Sequence, residues 1–182
     1  GNQIKIAGVN GNIGVAGDVI SERVLKINAD GTIVTNKTQA KAAMEVKAKE
    51  FTQNTSTYTE GNLTIDADKV TLKGNGTQAG NILITGDLEN EVNIYSGNDI
   101  NIGKGLVNKS GQIVAERNIS VNNKADNKDL LYAKNNITIG KELNNTGNIQ
   151  SNGSIKTGGN TTNTGKILSE KDLEINGKLT SS

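Results

Sequence analysis

Short runs of apolar, polar, apolar residues recur along this chain at nearly constant intervals, each opened by a small or polar residue. Asn62-Leu63-Thr64-Ile65, Asn81-Ile82-Leu83-Ile84, Asp99-Ile100-Asn101-Ile102, Asn118-Ile119-Ser120-Val121, Asn136-Ile137-Thr138-Ile139 and Asp172-Leu173-Glu174-Ile175 are the clearest copies. Ser154-Ile155-Lys156-Thr157 fills the gap among them, and Leu25-Lys26-Ile27 and Met44-Glu45-Val46 continue the series upstream. The first apolar position reads Ile6, Leu25, Met44, Leu63, Ile82, Ile100, Ile119, Ile137, Ile155 and Leu173, with every step 18 or 19 residues. A second column follows with Ile13, Thr32, Phe51, Val70, Leu88, Leu106, Ala125, Leu143, Thr161 and Leu179. A third runs through Val19, Thr38, Thr57, Gly76, Ile94, Ile113, Leu131, Ile149 and Ile167. Three sides per period predict a triangular coil.

Alternation over three residues predicts strands, because the outer two side chains face one way and the middle one the other. The middle residues include Lys26, Glu45, Thr64, Asn101, Ser120, Thr138, Lys156 and Glu174, so one face is wet and the other buried. A helix needs apolar residues at three- and four-residue spacing over a longer stretch, and these runs stop at Gly or Asn. Strands stacked coil on coil, each pairing with its equivalent above and below, satisfy both backbone and apolar face. The expected fold is an all-β parallel β-helix, a triangular solenoid of about ten coils of 18–19 residues. At roughly 4.8 Å per coil the rod would be on the order of 48 Å long. Residues 37–50 have helix-forming composition, yet Met44 and Val46 fall on the columns and a strand is expected there.

The corners carry their own marks. Asn90, Asn108, Asn127, Asn145 and Asn163 stand two residues after the second column, with Ser181 in the last coil. An amide both donates and accepts, so stacked copies are expected to form a hydrogen-bonded ladder, and Asn tolerates a left-handed backbone. Gly111, Gly147 and Gly165 follow, with Asn93 and Asp129 at equivalent points, as turns at positive φ would favour. Ser96, Ala115, Ala133, Ser151 and Ser169 follow the third column, where a bend leaves no room for bulk.

Composition narrows the chemistry. The 182 residues include 22 Gly and 27 Asn but no Pro, Cys, His or Trp, and hydrophobic residues make up 33%. Without His or Cys there is no Ser-His-Asp or Cys-His machinery and no imidazole or thiolate metal ligand. A net charge of +1 gives no reason to expect nucleic acid as a partner. No apolar run approaches a membrane span, and residues 1–20 carry no signal-peptide pattern.

With the coil written as N-I-x-I, L-x-N, G-x-I-x-[AS], residues 143–151 (LNNTGNIQS), 153–155 and 166–175 resemble the repeats of filamentous haemagglutinin and related large exoproteins. The resemblance covers residues 80–182 well; residues 1–79 form less regular coils of the same segment. It implies a right-handed β-helix shaft, secretion by an outer-membrane partner, and a place in the medium or on the surface of a Gram-negative bacterium. The implied role is adhesion to host or bacterial surface receptors or glycans, or toxin delivery in contact-dependent inhibition. The 182 residues are then expected to be an internal piece of a longer chain whose open ends associate.

Candidate chemistry is sparse. Asp66 and Asp68 share an outer face with Asp87 above Asp68, but Lys47 and Lys49 occupy the same columns one coil earlier, so a solvated charge ladder is expected rather than a metal or acid–base site. Calcium-binding nonapeptides are absent, and Gly103-Lys104-Gly105 lacks phosphate-loop spacing. Asn62-Leu63-Thr64 and Asn136-Ile137-Thr138 match the glycosylation triplet. The reading is a structural or adhesive shaft, not an enzyme, with no catalytic residue, cofactor or metal. The alternative is a β-helix carbohydrate-active enzyme or glycan-binding module, against which the four aromatics, Phe51, Tyr58, Tyr95 and Tyr132, are read as scattered. A hexapeptide acyltransferase would need a catalytic His, and an ice-binding rod would repeat the Thr55, Thr57, Thr59 patch in successive coils.

Overall fold

A computed structural model describes residues 3–8 and 10–181, which form 27 strands and, among the described residues, no helix. One coil serves for all. Ile100–Ile102, Leu106–Asn108 and Ile113–Ala115 are three short strands in which burial alternates in, out, in. Each pairs in parallel and in register with its equivalent in the neighbouring coils: Ile100 lies between Ile82 and Ile119, Leu106 between Leu88 and Ala125, Ile113 between Ile94 and Leu131. The chain is thus an all-β solenoid of about ten turns with three faces. Ten strands make the first face, from Ile4–Gly8 to Leu173–Ile175. The second and third merge into one sheet of 17 strands, because Thr32–Ala40 and Glu50–Thr59 cross the corner between them without a break.

The core is a stack of aliphatic columns. Leu63, Ile82, Ile100, Ile119, Ile137 and Ile155 are fully buried on the first face, and Ile94, Ile113, Leu131 and Ile149 on the third. Branched side chains stacked on their own kind fill a narrow core without aromatic bulk. Phe51 is the one buried aromatic. The last coil has no described coil above it, and Leu173 and Leu179 are accordingly 47% and 50% exposed.

Residues 37–50 run through strands Thr32–Ala40, Ala43–Lys47 and Glu50–Thr59 and the two short bends between them, as the columns require, so stacking overrides helix propensity. Three early column positions are corrected. Ile4, not Ile6, stacks on Leu25; Ile33, not Thr32, lies between Ile13 and Phe51; and Thr77, not Gly76, lies between Thr57 and Ile94. The reason is a wider coil with a partly polar interior. Thr38 and Thr57 share a hydrogen bond of 3.0 Å, and the Thr77 hydroxyl donates to Gln53 Oε1 at 2.8 Å. Gln53 Nε2 in turn donates to the carbonyls of Lys73 and Gly76 at 3.0 and 3.2 Å. These buried groups are satisfied by one another and so remain inside.

The corner glycines also differ from expectation. Gly111 adopts φ 86°, but Gly147 and Gly165 do not take positive φ, nor do Asn93 and Asp129. What Gly147 and Gly165 need is space, since a Cβ there would run into the carbonyl of Asp129 or Gly147 one coil below. Close approach between successive corners selects glycine.

Gly147→Ala should therefore destabilise by about 1–3 kcal/mol. Gly14→Ala, whose Cβ meets nothing within 4 Å, should stay within about 0.5 kcal/mol of the parent. Urea melts of the two variants, followed by far-ultraviolet circular dichroism, check the contrast; equal effects would contradict it.

Candidate functional site

The five corner asparagines close successive strands of the second face, with Asn90 in register with Asn108, then Asn127, Asn145 and Asn163. The Nδ2 of each of the first four donates to the Oδ1 of the next coil, at 2.9, 2.9, 2.8 and 2.7 Å in chain order. The same amides reach backbone at the bend: Asn127 Nδ2 meets Asp129 O at 2.7 Å and Asn148 O at 3.1 Å. The first four are fully buried. None of the five takes positive φ, so side-chain chemistry rather than a left-handed backbone accounts for them. A carboxamide supplies an acceptor oxygen and two donor hydrogens together, which serve the ladder and the bend at once. Upstream the same column holds Leu72, Gln53 and Thr35, and the ladder starts at Asn90.

A second ladder lies at the entrance to the first face, among residues the repeat motif contains but which read only as strand openers. Asn81 Nδ2 donates to Asn62 Oδ1 at 2.9 Å. Asp99 Oδ1 accepts from both the backbone and the side chain of Asn118, at 3.1 and 2.8 Å. Asn118 Oδ1 then accepts from Asn136 N at 3.2 Å, and Asn136 Oδ1 from Ser154 N at 2.9 Å. From Asn81 onward each of these side chains accepts from the turn N–H one coil later. The signal for it is the polar residue before each first-column position from Leu63 onward.

The carboxylates disperse. Asp66 registers with Lys47 and accepts from the Thr85 hydroxyl at 2.9 Å. Asp68 pairs with Lys104 at 3.3 Å, two coils on. Asp87 registers with Lys69, not above Asp68 as the sequence suggests, and accepts from Gly105 N at 2.8 Å. Among the described residues no three acidic side chains converge as a metal site. Ion pairs join coils instead: Lys26 to Glu45 at 2.7 Å, Lys156 to Glu174 at 2.8 Å, Lys109 to Glu89, and Lys134 to Glu116. Hydrogen bonds from Lys109, Lys134 and Lys156 hold Glu89, Glu116 and Glu174 below the ordinary glutamate value of 4.5. The Glu partners likewise raise Lys109 and Lys134.

The outward column of the third face is different in kind. It runs Ile20, Gln39, Tyr58, Gln78, Tyr95, Val114, Tyr132, Gln150, Leu168. All three tyrosines of the chain are there, so the aromatics are aligned rather than scattered, and no position of the column is charged. The equivalent column of the first face carries Lys26, Glu45, Lys156 and Glu174. Between Tyr58 and Tyr95 lies a groove of about 280 Å³ lined also by Ser56, Thr57, Asn75, Gly76, Thr77, Gln78 and Asn93. A second groove, of about 350 Å³, is bordered by Lys69, Asp87, Glu89 and Lys124. The Thr55-Thr57-Thr59 patch is not a surface feature: Thr57 and Thr59 point into the core.

Asn127→Ala removes the acceptor of Asn108 Nδ2 and the donor to Asn145 Oδ1 in a buried corner and should cost about 3 kcal/mol, whereas Asn144→Ala on the outside should cost less than about 0.5 kcal/mol. Chemical denaturation of both variants measures this. Acid should weaken the inter-coil pairs. A carboxylate with a depressed folded pKa stabilises above its unfolded pKa, and that share is lost as pH falls through the folded value. Melting temperature should thus hold through neutral pH and decline below the ordinary glutamate value of 4.5, by a small amount because the pairs are exposed. A melting temperature that rises on acidification contradicts this.

Compared with protein-family models, curated proteins and solved structures, the chain matches none of them, so its function rests on its own residues.

Proposed function

We propose that this solenoid is a shaft and adhesive repeat segment of a large secreted exoprotein, of the kind its later coils resemble. In this reading an outer-membrane partner exports the full chain, and the rod stands at the surface of a Gram-negative bacterium or is shed from it. The observation that carries it is the continuous parallel stack of coils, buttressed by the Asn90 to Asn163 ladder and by ion pairs between coils. A stack of this kind resists bending, and its length changes by whole coils without a new core. The dispersed acids also favour a shaft over a glycosidase, which needs two carboxyl groups facing each other across one sugar. Asp66, Asp68 and Asp87 are each engaged with Thr85, Lys104 or the Gly105 N–H.

Antibodies against residues 82–181 should label intact, unpermeabilised cells of the source organism or its culture medium. Labelling only after permeabilisation would overturn the assignment to the surface.

A further inference from the structure

We propose that the groove between Tyr58 and Tyr95 binds a neutral linear glycan, with the sugar chain running along the rod and its rings resting on the phenols. Tyr95 is 39% exposed and Tyr58 half-buried, with the exposed Gln78 between them in the middle coil. The gap is set by the backbone. Gly76 registers with Ser56 in the outward row beside the tyrosines and adopts φ 142°, following Gly74 at φ 94°. Side chains rarely adopt that conformation, so the opening at Gly76 is built in.

The lining selects the ligand class. Aromatic faces suit the C–H faces of pyranose rings, a use of the exposed π-surface similar to stacking on apolar partners. Gln78, Asn75 and Asn93 bring amides that donate and accept, and Ser56 adds a hydroxyl, which matches sugar hydroxyls that do both. A proline-rich peptide offers carbonyl acceptors but few donors, so it would leave the amide oxygens unanswered. An added β-strand is excluded on this face because its backbone groups are already paired to the coils on either side. No ionisable group other than the two phenols lines the groove, so an anionic ligand finds no cation there.

Spacing supports an extended chain. Tyr58 and Tyr95 are two coils apart, as are Tyr95 and Tyr132. Two coils span roughly 10 Å, close to one disaccharide of a flat, two-fold polysaccharide. Successive tyrosines would then meet every second sugar on the same side. The proposal goes beyond the shaft reading, since the groove belongs to these residues whatever surface carries the rod.

The chain's three tyrosines make the test direct. Protein labelled with fluorotyrosine should give three fluorine resonances, assigned with Tyr58→Phe, Tyr95→Phe and Tyr132→Phe. Titration with cellohexaose, xylohexaose and chitohexaose should move the Tyr58 and Tyr95 signals saturably for at least one probe, with Tyr132 following less. Tyr58→Ala and Tyr95→Ala should each weaken binding about tenfold, while Tyr58→Phe retains it, and circular dichroism verifies that each variant keeps its strands. The proposal is overturned if none of the three neutral probes shifts a signal at millimolar concentration, if a heparin hexasaccharide binds in their place, or if decaproline does. It is equally overturned if the tyrosine signals respond only to protein concentration, which would make the stripe a contact between two copies. None of these outcomes affects the surface-labelling result, so the glycan site and the shaft reading stand or fall separately.

Discussion

Parallel, in-register pairing between consecutive coils is the constraint on which everything else depends. It makes each residue the neighbour of its own equivalent, so an inward isoleucine packs best where the coils on either side offer an aliphatic group at the same height. The run of Ile82, Ile100, Ile119, Ile137 and Ile155 is the direct result. The same rule admits polar residues to the interior when they come as partners. Asn108 on Asn127 and Thr38 on Thr57 both satisfy groups that a lone copy would leave unpaired.

That rule also decides which parts of the fold are legible from residues alone. From Ile82 onward three aliphatic columns at a steady step identify faces, strands and corners. In the first coils the register slips because the repeat length changes: Ile4 to Leu25, Ile13 to Ile33 and Thr57 to Thr77 are each longer than the usual 18- or 19-residue step. The long strand Thr32–Ala40 adds a register shift between Thr35 and Lys37. A pattern search keyed to apolar residues then prefers Ile6 and misses Thr77, whose hydroxyl is buried because Gln53 accepts from it.

The surface was harder to read than the core. The constant spacing of Asn90 to Asn163 announces a ladder, and their inward amides rather than positive φ explain the choice of residue. Along the chain Tyr58, Tyr95 and Tyr132 stand far apart. Placed in register they occupy a single outward column, and the groove beside them is lined by Gly76 at positive φ. Outward columns carry no hydrophobic periodicity, so no pattern of burial points to them.

The inter-coil hydrogen bonds, including those of the asparagine ladder, run along the rod, whereas the chain itself runs around it. A pull on the two ends therefore loads only the bonds of the outermost coil, and coils peel away singly. Each released coil gives up about 5 Å of rod and yields about 60 Å of extended chain. Under tension such a segment behaves as a ratcheted tether: stiff while wound, and lengthening in whole-coil steps before any covalent link is strained.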